Sequence, residues 1–165
     1  MKNMKYLSLM MAVFCSLSIG FASCSDDDED EAGRDMTYPE ISSEGIVASP
    51  VDCEVYRRGE VIAFNYVFTD NQELGAYNLE IHDNFDHHTD GTSTSDCPKE
   101  EEREPVKPWH FIHDGTIPAG QRSYTARVDI SIPTDIDTGD YHFMIRLTDR
   151  TGWQQLKAMS IKIAE

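Results

Sequence analysis

The residues most able to do chemistry lie in one string, His82-Asp83-Asn84-Phe85-Asp86-His87-His88-Thr89-Asp90. Neutral imidazole and carboxylate are good ligands for zinc and related divalent ions, so this composition suits a transition metal. Its spacing is not that of a closed zinc signature. The acids Asp83, Asp86 and Asp90 also lack the alternation of an EF-hand loop, and histidine is a poor calcium ligand. All six histidines follow residue 80, and His142 recurs far down the chain. The candidate metal set is His82, His87, His88 and His142, with Asp86 and Asp90 as carboxylate ligands. The plain alternative is a set of solvated surface histidines. A metal held by neutral imidazoles would be released below about pH 6, as the rings protonate.

Such ligands need a frame. From Thr37 onward the hydrophobic period is two, with turn signals between the runs. The pattern predicts strands A (41–48), B (61–69), C (77–85), E (123–132), F (140–148) and G (155–163). In B, Ile62, Phe64, Tyr66 and Phe68 share a face; in F, Tyr141, Phe143, Ile145 and Leu147 do. Strand G has a less regular phase, which points to a bulge. The expected fold is an all-β, immunoglobulin- or fibronectin-like sandwich of about seven strands. Asp137-Thr138-Gly139-Asp140-Tyr141 is similar to the tyrosine corner that precedes strand F in such sandwiches. Strands C and F are neighbours there, so outward His82 and His142 are placed side by side. His87 and His88 then arrive from the long polar segment 86–108. A segment of that length without structure is usually functional or disordered.

The first residues are an address rather than a fold. Lys2 and Lys5 precede an apolar run from Tyr6 to Gly20, too short to span a bilayer comfortably and followed by small residues. Phe21-Ala22-Ser23-Cys24 resembles the lipobox of bacterial lipoproteins, with Phe21 where the usual pattern has Leu. The resemblance implies a signal peptide over 1–23 and membrane attachment through lipidated Cys24. Ser25-Asp26-Asp27-Asp28-Glu29-Asp30-Glu31 resembles the surface-export signal of Bacteroidota lipoproteins, and equally reads as a solvated, self-repelling tether. With Cys24 it makes a tether over 24–37, whose residues 25–37 reach on the order of 40 Å when extended. The sandwich then occupies 38–165. The expected location is the outer membrane, lipid-anchored and facing outward.

Charge narrows the partners. The 165 residues carry 30 Asp+Glu against 14 Lys+Arg, a formal net charge of −16. That excludes a general nucleic-acid binder, which needs a basic face. With Cys15 removed and Cys24 acylated, Cys53 and Cys97 remain, and the compartment favours a disulfide over two buried thiols.

The strings Arg58-Gly59-Glu60 through Phe68-Thr69-Asp70-Asn71, Ile81 through His88, Asp137 through Phe143, and Thr148-Asp149-Arg150-Thr151-Gly152-Trp153 resemble domain of unknown function 4625, a family of Bacteroidota lipoprotein domains. The resemblance spans most of 38–164. It implies an immunoglobulin-like fold and a cell-envelope location, and it brings no activity. The family pattern carries a histidine near Asp90, where this chain has a carboxylate that can still ligate a metal.

Three functions follow as expectations. The first is a non-catalytic surface module that binds a protein, glycan or envelope component, with Tyr56, Trp109 and Trp153 as stacking rings or core residues. The second is a divalent-metal-binding lipoprotein, zinc foremost. The third, an enzyme, lacks a nucleophile elbow, a phosphate loop and an HExxH motif, so no catalytic residues are assigned.

Overall fold

Apolar alternation builds the strands, and the computed structural model describes them over residues 35–89 and 97–165. Eight strands form: β1 (Glu40–Ser42), β2 (Glu54–Arg57), β3 (Val61–Thr69), β4 (Leu74–Asp83), β5 (Phe111–Thr116), β6 (Ser123–Ser131), β7 (Gly139–Asp149) and β8 (Gln154–Ala164). They make two sheets, ordered β1-β3-β6 and β2-β8-β7-β4-β5. All pairings are antiparallel except β2 with β8. This is an immunoglobulin-like sandwich, with the first strand divided between the sheets.

The core lies between the sheets. Ile62, Phe64, Tyr66 and Phe68 of β3 face Leu79 and Ile81 of β4 and Phe143, Ile145 and Leu147 of β7, all buried. Phe64 stacks on Phe143 with centroids 5.8 Å apart. Each such side chain contributes about 1.5–3 kcal/mol on burial. Tyr56 and Trp109 are also buried, and both join this core rather than the surface.

Strands B, E, F and G are found within a residue of their expected ends as β3, β6, β7 and β8. Strand A is corrected. β1 ends at Ser42, and the chain then changes sheets through a turn, a bridge between Ser49 and Asn65, and β2. Strand C is shifted to Leu74–Asp83, so Asn84 and Phe85 begin the long segment instead. The bulge expected in strand G lies in β4, where the register with β7 shifts between Leu74 and Ala76. Gly75 sits there because a Cβ would fall 2.7 Å from the Asp149 carbonyl oxygen. The β7–β8 register runs without a shift. β5, absent from the sequence reading, is the edge strand beside β4.

The tyrosine corner is formed. Tyr141 is buried, its hydroxyl donates to the Asp137 carbonyl at 2.7 Å, and burial pushes its phenol up to about 12. Gly139, with φ +131°, permits this turn, and a Cβ there would lie 2.9 Å from the Phe85 ring. Cys53 and Cys97 form a disulfide that ties the middle of the long segment to the start of β2.

Candidate metal centre

β4 and β7 pair so that His82 stands directly opposite His142. Inward Ile81 and Phe143 fix the parity that turns both histidines to the other face of the sheet. That face is not fully open: His142 is buried, because β7 is covered on both sides along most of its length.

The third histidine depends on the turn after β4. Asn84 and Phe85 are buried. Phe85 packs edge-on against Tyr141 at 5.3 Å, and the Arg103 guanidinium lies 3.9 Å over its ring. His87 donates its N–H to the Asn84 carbonyl at 3.3 Å and adopts φ +56°. Histidine tolerates that left-handed conformation better than most side chains. The reversal returns His88 to the sheet.

His82, His88 and His142 each offer a ring nitrogen, and these nitrogens lie within 4.8 Å of one another. The ring centroids are 5.4 Å apart for His82–His88, 5.4 Å for His82–His142 and 5.2 Å for His88–His142. Nε2 of His88 is 3.3 Å from Nε2 of His82. Two nitrogens held tetrahedrally on zinc at ~2.0–2.1 Å stand about 3.3–3.4 Å apart, so this spacing fits.

Carboxylates stand behind two of the rings. Glu80 Oε1 is 3.3 Å from Nδ1 of His82, and Asp86 Oδ1 meets Nδ1 of His88. At His88 the Asp86 carboxylate accepts from Nδ1–H and leaves that ring's lone pair on Nε2, whereas Glu80 is close to His82 Nδ1 without a hydrogen bond. The Nε2 atoms of His82 and His88 are within hydrogen-bond distance, so without a metal one Nε2–H can donate to the other ring's lone pair. The hydrogen bond from His88 in turn holds the Asp86 carboxyl below its usual range. At His142 the partner is Asn84, whose amide meets Nε2 at 2.8 Å. The atom that meets Nε2 is the amide nitrogen Nδ2, which donates to the ring.

Of the sequence candidates, three histidines converge and the others take different places. His87 turns away, its Nδ1 3.5 Å from Glu102 and its Nε2 4.0 Å from Asp140. Asp86 backs His88 and is not among the converging ligands. Asp90 and Cys24 lie outside the described residues. Asn84 and Glu80 were missed. The signal was present in both cases: Asn84 sits inside the His-rich string, and Glu80 shares the face of His82.

The profile of a family described as a domain of unknown function, DUF4625, matches residues 22–164. The chain belongs to this family. No curated protein matches it in sequence. In this DUF4625 domain the His-rich string is a turn that carries His88 back to His82 and His142 on the sheet. His82 and His88 keep 20 % and 37 % of their side chains exposed, so a cation can reach the rings from solvent.

Proposed function

We propose that this domain is a non-catalytic, divalent transition-metal-binding module, zinc foremost, carried by a lipid-anchored protein at the outer surface of the outer membrane. The observation that carries the reading is the convergence of His82, His88 and His142 with their nitrogens within 4.8 Å. The Asp86 carboxylate behind His88 is the kind of partner that orients a metal-bound imidazole. The location rests on the lipobox-like Phe21–Cys24 and the acidic run after it. Lipid attachment at Cys24 places the membrane among the partners.

Three protein ligands leave one tetrahedral position open. That position suits capture and hand-over, since an incoming ligand enters there without displacing a histidine. A glycan-stacking surface is less favoured, because Tyr56 and Trp109 are spent on the core. A hydrolytic centre is the second reading, because a zinc-bound water in the open position would be activated.

The test is a zinc titration of the purified full chain against a His82→Ala/His142→Ala double variant. The proposal expects stoichiometric binding tighter than micromolar, weakening as pH falls into the range where imidazole protonates, and lost in the double variant. Equal binding by both proteins, or none by either, would overturn it. Ester hydrolysis by the zinc-loaded chain, absent from the double variant, would move the assignment to the hydrolytic reading.

A further inference from the structure

At the opposite end of the sandwich a second group of ligands converges. Asp35 precedes β1, Asp70 follows β3, and Asp149 ends β7. Each offers a carboxylate oxygen, and these oxygens lie within 4.8 Å of one another. Asp35 and Asp149 are more than nine-tenths buried, at 3 % and 4 % exposure. Three carboxylates brought together at a largely buried place repel one another and lose hydration.

Each carboxylate is held from behind through one oxygen. Oδ1 of Asp35 accepts from Thr37 N and Asn71 Nδ2, both at 3.0 Å. Oδ1 of Asp70 accepts from Gln72 N at 2.8 Å and Glu73 N at 2.6 Å. Oδ1 of Asp149 accepts from Gly152 N at 2.6 Å, Trp153 N at 2.8 Å and Thr151 Oγ1 at 3.1 Å. The second oxygens are different. Oδ2 of Asp35 and Oδ2 of Asp70 are buried with no hydrogen-bond partner among the described residues. Among the described residues Oδ2 of Asp149 has only the Thr151 hydroxyl, at 3.0 Å. Among the described residues no lysine or arginine pairs with any of the three. The nearby Arg150 pairs with Glu73 instead, at 3.1 Å.

Buried, unpartnered carboxylate oxygens in a cluster of like charge point to a cation that the fold is built to receive. We propose that Asp35, Asp70 and Asp149 form a binding site for a hard divalent cation of the calcium class. The donors are all oxygen, which selects against the softer metals that imidazole attracts. Calcium at ~2.4 Å spans oxygens up to about 4.8 Å apart, whereas magnesium at ~2.0–2.1 Å spans less. The site joins the segment entering the domain to the β3–β4 and β7–β8 turns. Trp153 Nε1 already donates to the Asp35 carbonyl at 2.8 Å, and Tyr38 packs edge-on against Trp153 at 4.7 Å. A bound cation therefore locks the point where the domain leaves its N-terminal segment.

This site shares no ligand with the histidine centre, so the two stand or fall separately. The experiment uses the purified full chain, with thermal unfolding followed against added calcium chloride up to a few millimolar, the affinity range of extracellular modules. Terbium, a calcium surrogate, is titrated in parallel and excited through Trp153. The expected result is a thermal midpoint raised by several degrees by calcium and much less by magnesium. Calcium is also expected to displace a terbium signal. Both responses should be lost in Asp70→Asn and kept in His82→Ala. No calcium-dependent shift and no displaceable terbium signal in the wild-type chain would overturn the proposal, as would identical responses in wild type and Asp70→Asn. Should Asp70→Asn fail to fold, Asp35→Asn serves with the same readouts and the same two outcomes.

Discussion

β7 carries one residue of each proposed site, His142 near its start and Asp149 at its finish. At ~3.3 Å per residue the two lie about 23 Å apart, beyond the screening length at physiological salt. The poles solve one problem in two ways. An imidazole has two nitrogens, and something must decide which carries the proton; at His88 the Asp86 carboxylate does so, while Glu80 lies near His82 and the Asn84 amide nitrogen meets His142. A carboxylate has two equivalent oxygens, and something must occupy one so that the other faces inward; backbone amides in the turns do so for Asp70 and Asp149. The histidine end thus draws on side-chain partners, while the aspartate end draws mostly on the main chain. The comparison teaches that the supporting groups, as much as the ligands, declare which class of metal an end of the fold is shaped for.

The largest way to break this comparison is through the disulfide, which anchors only the histidine end. Cys53→Ser/Cys97→Ser opens a link between residues 44 apart and costs about 4 kcal/mol by chain entropy, read from urea denaturation. Zinc affinity should fall with it, and the calcium response of the folded fraction should not. A variant that lost both responses equally would merge the two poles into one cooperative unit. Next, His142→Ala should weaken zinc binding more than ~100-fold, about 2.7 kcal/mol, in calorimetry. A loss below tenfold would remove His142 from the centre. Asp86→Ala should cost about 10–100-fold, as supporting partners of metal ligands do. Were it as damaging as His142→Ala, the carboxylate would itself be a ligand.

The smallest effect is an acid-dependent one beside the histidine end. Burial pushes the Asp137 carboxyl up, but the N–H groups of Lys107 and Val106, with Arg103 nearby, outweigh it and leave the group below its usual range. Because the folded value is the depressed one, its contribution to stability is complete above the ordinary carboxylate value near ~3.9. It is lost as pH falls through the folded value. Asp137→Asn should flatten the acid limb of a stability-against-pH curve, and an unchanged limb would contradict the assignment.

Much of the frame was legible in the sequence. β3 buries alternate residues over nine positions, and in β7 the large apolar residues Tyr141, Phe143, Ile145 and Leu147 alternate in sequence although the strand is buried on both faces, so two-residue periodicity is plain in both. β2 and β5 were not legible. Glu54–Arg57 buries only Tyr56, and β5 buries only Gly115, so neither shows an alternating apolar face. Strand A failed for a related reason, since its residues divide between two sheets and neither half keeps a period. At the histidine end, strand parity alone placed His82 beside His142. The return of His88 rests on the left-handed backbone at His87, which residue spacing does not encode. The aspartate end was hidden more completely. Asp70 reads as a turn residue, and Asp35 falls within the span read as tether. Tertiary contacts with Trp153 and Asn71 bring Asp35 into the domain.

The central claim is that three imidazoles share a zinc ion. X-ray absorption fine structure of the full chain loaded with equimolar zinc tests it most directly. The account predicts a shell of three imidazole nitrogens at about 2.0–2.1 Å, with the outer-shell scattering of their rings reduced by the loss of one ring in His82→Ala. A shell of oxygens without imidazole scattering, or a spectrum unchanged in His82→Ala, would contradict it.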